Sequence, residues 1–232
     1  MDSFSLYGVN FRLVGARRIA GKIRDALSTD QQISVFTPNL QIIRSVARDT
    51  DIRRLLNSAD ILLPDGAGIS LLCRAKGLGR VPRMTGIDTA YFLMRYAGMH
   101  GLSVFLLGAQ RGVADIAANR LTEEISGLRI CGTHHGYFDK CENSDENSAV
   151  LQKIRRASPD ILFVCFGFPM QERWIFDNLK KLPSVNICMG LGGALDVWSG
   201  RVRRAPLAFR MLDLEWLWRC IGQPERFVKL LR

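Results

Sequence analysis

The chain has 232 residues, 47% of them hydrophobic and 23% charged, with a formal net charge of +10. That balance suits a globular protein able to bury a sizeable core and excludes a low-complexity chain. The opening "MDSFSLYG" has neither a basic nor an apolar signal region, and no run free of charged residues reaches the about 20 residues of a membrane-spanning helix.

In chain order, "FSLYGVNFRLV" reads as a hairpin, followed by a helix with Ile19, Ala20, Ile23, Ala26 and Leu27 on one face. Strands are then expected at "ISVFTP", "DILLPD", "LSVFLLG", "LRICGT", "DILFVCFG" and "VNICMG", with helices after most of them, for instance over 111–126 and 169–181. Several of these strands are apolar throughout, as in a parallel sheet covered on both faces. The expectation is an α/β fold: a Rossmann-like, mainly parallel sheet with flanking helices over residues 1–195. "DKCENSDENSA" (139–149) reads as an exposed loop leading into a helix.

From Asp196 the pattern changes. Residues 196–232 hold three of the four tryptophans, no strand candidate, and prolines at 206 and 224 as helix boundaries. Residues 201–232 carry eight Arg or Lys against three acids, half of the net charge. On a helix over 214–223, Glu215, Arg219 and Gln223 share a face. This is a basic, aromatic helical appendage, and its charge points to a polyanionic partner: nucleic acid, a phosphate-bearing substrate or an anionic membrane face.

Three strand ends carry polar turns that a parallel sheet brings to one edge: Thr37-Pro38-Asn39, the "PDGAG" turn with Asp65, and "GFPMQE" with Gln171 and Glu172. Each taken singly is a turn or a helix cap; together they make a cleft. Gly190, Gly192 and Gly193 lie between a strand and a helix, where backbone amides can approach a phosphate. They fit a dinucleotide fingerprint only in its first two glycines, with Leu195 at the third position. Cys131, His134, His135 and Cys141 are spaced too irregularly for a zinc site and read as loop histidines and incidental thiols. The six scattered cysteines, several inside apolar runs, read as free thiols of a cytosolic protein. The run "CRAKGLGRVPR" (73–83) is basic and glycine-rich, a solvated surface or a diphosphate contact.

The motifs "TPN", "PDGAGI", "RMTGID", "VFLLGA", "HHGYF", "GFPMQERW", "GLGGALDVWSGRVRRAP" and "LEWLWRCIGQPERF" follow one another in an order and spacing that resembles the bacterial WecG/TagA/CpsF glycosyltransferases, over nearly the whole chain. That resemblance implies an inverting enzyme that moves a sugar, of the N-acetylmannosamine type, from a UDP-sugar to a polyprenyl-diphosphate-linked sugar in teichoic acid or other surface polysaccharide synthesis. It implies Asp65 as general base, with Thr37 and Gln171 as active-site polar residues. The nucleotide-sugar would meet Asn39, Gly108, Gly190, Gly192 and Gly193, and, through the "RMTGID" segment, Arg83, Gly86 and Asp88. Arg219, Arg226 and Lys229 would hold the acceptor diphosphate; Lys229 stands where relatives can carry Arg, and lysine cannot make the planar bidentate contact. No cofactor and no metal are expected, since arginines and glycine amides are the better candidates for the leaving diphosphate. The protein would be cytoplasmic, attached peripherally to the inner face of the cell membrane, without a nucleic-acid partner and with self-association open. The competing readings are a nucleotide-dependent oxidoreductase, resting on the glycine turn, and a nucleic-acid-binding protein using the basic tail.

Overall fold

A computed structural model describes residues 3–206, apart from Leu13, Val14, Asp30, Arg48, Arg80, Pro82 and Arg83, together with Phe209. The chain opens with the expected hairpin, β1 (Phe4–Leu6) and β2 (Val9–Phe11), paired antiparallel. Its two turn residues, Tyr7 and Gly8, both have positive φ, which matches the twist of a two-residue hairpin. Then follow α1 (Ala16–Ser28), β3 (Ile33–Phe36), α2 (Leu40–Val46), α3 (Thr50–Asn57), β4 (Ile61–Leu62), α4 (Ala67–Ala75), α5 (Gly86–His100), β5 (Ser103–Gly108) and α6 (Val113–Glu124). The remainder is β6 (Arg129–His134), α7 (Asp145–Ala157), β7 (Ile161–Cys165), α8 (Met170–Asn178) with one 3-10 turn (Leu179–Lys181), β8 (Ile187–Gly190) and α9 (Ala194–Trp198).

Strands β3 to β8 form one sheet in the order β4-β3-β8-β7-β5-β6, every pair parallel. All five residues of β7 and all six of β5 are buried, the physical reason for their uninterrupted apolar sequences. Successive residues go to opposite cores. Val104, Leu106, Ile161 and Phe163 meet α1, α5, α6 and α9 on one face. Phe105, Leu107, Leu162 and Val164 meet the hairpin and α2, α3, α4, α7 and α8 on the other. Each large side chain so buried contributes roughly 1.5–3 kcal/mol, which makes the sheet a firm platform for whatever its rim carries.

The expected α/β class is what the structure shows. The expected boundary between residues 195 and 196 falls inside α9, whose Leu195 and Trp198 belong to the first core. The tail helix expected over 214–223 lies outside the described residues.

Two connections leave the centre of the sheet in opposite directions. The chain after β3 moves outward to β4, whereas the chain after β8 enters α9, packed on α6 towards the other side. Such a divergence opens a crevice at the carboxyl ends of the strands.

Candidate active site

On the β4 side of the crevice two turns are laced together. The Leu63 N–H donates to the Phe36 carbonyl at 2.9 Å, and the Asp65 N–H to the Pro38 carbonyl at 3.1 Å. Asp65 is half-buried at the rim. The cap of α4 is Gly66, at φ +84°, directly after Asp65. Asn39 is exposed and does cap a helix, its Oδ1 accepting the Ile42 N–H at 3.0 Å at the start of α2.

Thr37 links this side to the centre. Its Oγ1 donates to the Gly190 carbonyl at 3.1 Å. Gly86, the first residue of α5, lies so close that a Cβ there would sit 3.0 Å from Thr37 Cγ2. Of the "RMTGID" segment, Thr85 caps α5 through the Asp88 N–H and also bonds the Asp88 carboxylate. Asp88 in addition pairs with Arg204, which draws the chain after α9 back onto α5. Arg83 lies outside the described residues.

Gln171 is 3% exposed. Its Oε1 accepts the N–H of Gly167 at 3.2 Å and of Gly192 at 2.7 Å, and its Nε2 donates to Glu172 Oε1 at 2.9 Å. One side chain thereby ties the turn after β7 to the turn after β8. A Cβ on Gly190 would come 2.9 Å from Gln171 Nε2, so only glycine allows this approach. The amides of the glycine turn are largely committed inside the protein: Gly192 to Gln171, Leu191 to the Val164 carbonyl and Ala194 to the Leu191 carbonyl. The observation that favoured a dinucleotide site is therefore accounted for by internal bonding. Glu172 is 2% exposed, and burial pushes its carboxyl above the ordinary range against the opposing pull of the Gln171 amide.

Gly108 belongs to the opposite side of the crevice. At φ +144° it lies across from Cys165, whose carbonyl a Cβ would meet at 2.4 Å. The loop after β6 is pinned next to it by the Gly136 N–H, which donates to the Ala109 carbonyl at 2.8 Å. Lys140 clasps this loop. Its Nζ donates to the carbonyls of Gly136 and Phe138 and stands 4.5 and 4.6 Å from the ring centres of Phe138 and Phe166. Burial draws its ammonium below the usual lysine range. The loop presents Tyr137, 67% exposed, to a cleft of about 320 Å³ that Ala109, Gln110, Asp196, Arg201 and Val202 also line. Arg201 Nη1 donates to Gln110 Oε1 at 2.8 Å. The sequence reading passed over Tyr137, Gln110, Asp196 and Arg201. The "HHGYF" and "GALDVWSGR" motifs contain three of them, but nothing in their spacing brings residues 109, 137 and 196–202 together.

The His134 Nδ1 contacts the His135 carbonyl at 2.8 Å, and burial holds both imidazoles below their usual range. Among the described residues, no three His, Cys, Asp or Glu side chains gather as a metal site. Cys73, Cys165 and Cys188 are buried free thiols, Cys165 pushed up to about 12 by burial; Cys131 is partly buried and Cys141 exposed. Arg219, Arg226 and Lys229 lie outside the described residues.

A family model described as "Glycosyl transferase WecG/TagA/CpsF family" matches residues 4–231. The N-acetylglucosaminyldiphosphoundecaprenol N-acetyl-beta-D-mannosaminyltransferase of Bacillus subtilis (strain 168) is 32% identical over 204 residues, 87% of this chain and 77% of that protein. The protein of the same name from Staphylococcus aureus (strain MW2) is 29% identical over 227 residues, 97% of this chain and 87% of that protein.

Proposed function

The chain belongs to the WecG/TagA/CpsF family of glycosyl transferases, and from that premise we propose that it transfers an N-acetylmannosamine-type sugar from a UDP-sugar to a polyprenyl-diphosphate-linked N-acetylglucosamine. The relatives' names supply the acceptor and the transferred sugar. The observation that carries the reading is Asp65, half-buried after β4 in a turn that its own N–H ties to the Pro38 carbonyl beside Thr37.

In this reading the acceptor hydroxyl gives its proton to the Asp65 carboxylate as its oxygen forms a bond to the anomeric carbon. The bond from that carbon to the UDP oxygen breaks on the opposite face, the electron pair leaves with UDP, and the configuration inverts. The Thr37 to Gly190 bond and the Gln171 clasp hold the floor beneath the reacting sugar. The cleft beside Tyr137 takes the nucleotide: the exposed ring offers a stacking face to the base, Asp196 accepts ribose hydroxyls, and Arg201 stands near the diphosphate. The leaving charge is neutralised by side-chain cations without a metal. Arg219, Arg226 and Lys229 take the acceptor diphosphate. No helix among the described residues is long and apolar enough to cross a membrane; attachment to the membrane face runs through the basic, aromatic tail.

The test is UDP release by the purified protein with a panel of UDP-sugars and a short-chain prenyl-diphosphate-linked N-acetylglucosamine, with and without EDTA. Release that requires the acceptor, survives EDTA and disappears in Asp65→Asn is the expected result. Absence of release with every donor, together with absence of UDP binding, would sink the proposal.

A further inference from the structure

A side-chain amide has two ends of nearly equal shape, so a buried glutamine holds one orientation only if its neighbours tell oxygen from nitrogen. Gln171 is told twice. Its oxygen faces two N–H donors, from Gly167 and Gly192, and its nitrogen faces a carboxyl oxygen of Glu172. A flip would set the NH2 group against both backbone donors and the oxygen against Glu172.

The other carboxyl oxygen of Glu172, Oε2, is buried and has no hydrogen-bond partner among the described residues. A carboxyl in such a position is costly to stability, and an apolar side chain of the same length would avoid the cost. Such a cost calls for a reason, and the side-chain hydrogen bond that the carboxyl makes, to the Gln171 amide, supplies one. Burial also favours the uncharged acid, whose carbonyl oxygen still accepts from the amide.

We propose that Glu172 is the positioning residue that fixes the orientation of the Gln171 amide, and through it the spacing of the two glycine turns at the floor of the crevice; the assignment rests on the glycosyltransferase reading above. The consequence travels along named contacts. Gln171 sets the distance between the turns after β7 and β8 through Gly167 and Gly192. It also packs on Gly190, whose carbonyl holds Thr37. A glutamine at position 172 keeps an acceptor for the amide, whereas a methionine keeps the length and removes it.

The experiment compares the full-length protein with Glu172→Gln and Glu172→Met. One readout is acceptor-dependent UDP release with UDP-N-acetylmannosamine and the short-chain prenyl-diphosphate acceptor. The other is hydrogen exchange of the Gln171 side-chain amide by 15N NMR, assigned with a Gln171→Leu control. Glu172→Gln is expected to hold its rate within about threefold of the parent and keep the amide protected, while Glu172→Met loses about tenfold or more in rate, as misplacement of a supporting group does, and loses the protection. A methionine variant with parental rate and protection overturns the proposal. So does a glutamine variant as impaired as the methionine one, since the acid itself, and not an acceptor, would then be required. If the parent transfers no sugar from any donor, the glycosyltransferase reading fails, and amide exchange still decides whether Glu172 orients Gln171.

Discussion

The two halves of the crevice are built on opposite plans. On the β3, β4 and β8 side the polar groups are turned inward on one another: Thr37 to Gly190, Asp65 N–H to Pro38, Gln171 to Gly167, Gly192 and Glu172. On the β5 and β6 side the exposed Tyr137 and Arg201 border a cleft, above a loop held by the Gly136 N–H and by Lys140. Bond-making at an anomeric carbon tolerates little error in position, and a laced floor costs no reorganisation during the reaction. Holding a nucleotide asks for area and contact, which exposed side chains provide.

The contrast can be broken at either end. The largest effect is expected from Asp65→Asn: turnover falls by about 10²- to 10⁴-fold, the range for removal of a general base, with UDP affinity unchanged by calorimetry. Equal loss of UDP affinity would mean that the two halves do not divide the work as described. Tyr137→Ala is expected to do the converse, weakening the donor by roughly 5- to 150-fold, the equivalent of about 1–3 kcal/mol of base stacking, while saturated turnover stays near parental. A variant that lost turnover and kept its donor KM would move Tyr137 to the other half.

Smaller effects sharpen the picture. Thr37→Val keeps the shape and removes the bond to Gly190, and should cost about 0.5–1.5 kcal/mol of stability in urea titrations. The least effect is pH-dependent. Burial raises the folded-state pKa of Glu172 above its unfolded value. Below the unfolded value both states hold the proton and this group's stability is fully present. As pH rises past it the unfolded chain releases a proton that the folded protein retains, so stability declines until the folded carboxyl also ionises. Glu172→Gln lacks that decline. Its urea midpoint should therefore gain on the parent as pH rises above the ordinary glutamate value of about 4, and a constant difference would refute the assignment of a raised pKa.

How far the sequence could be read depended on the range of the interactions involved. The apolar strands announce the sheet because burial on both faces leaves a continuous mark in adjacent residues, as at "ILFVC". Asp65 was legible because it breaks such a run. Asn39 was legible as a helix cap after a strand, and it caps α2. Gln171 stood out as a polar residue after a strand, but its bonds to Gly167 and Gly192 join two separate turns, and no local pattern encodes them. The Tyr137 cleft was illegible for the same reason, since its lining comes from three segments that meet only once β5, β6 and α9 are in place.

The order of strands also bears on how the protein is made. β3 has β8 as its inner neighbour, and β8 lies between β3 and β7 at the middle of the sheet although it is the last strand in sequence among the described residues. During synthesis the chain emerges with β3 and β7 each lacking a neighbour until residues 187–190 follow. Parallel pairings between segments so far apart close slowly, and open strand edges attract other chains. Neither half of the crevice can be completed early, because Thr37 waits for Gly190 and Gln171 for Gly192 on one side, and the Tyr137 cleft for Asp196 and Arg201 on the other. A chain cut short before β8 is therefore an adhesive fragment and no partial enzyme, and the nascent chain suits chaperone protection until β8 slides into the gap.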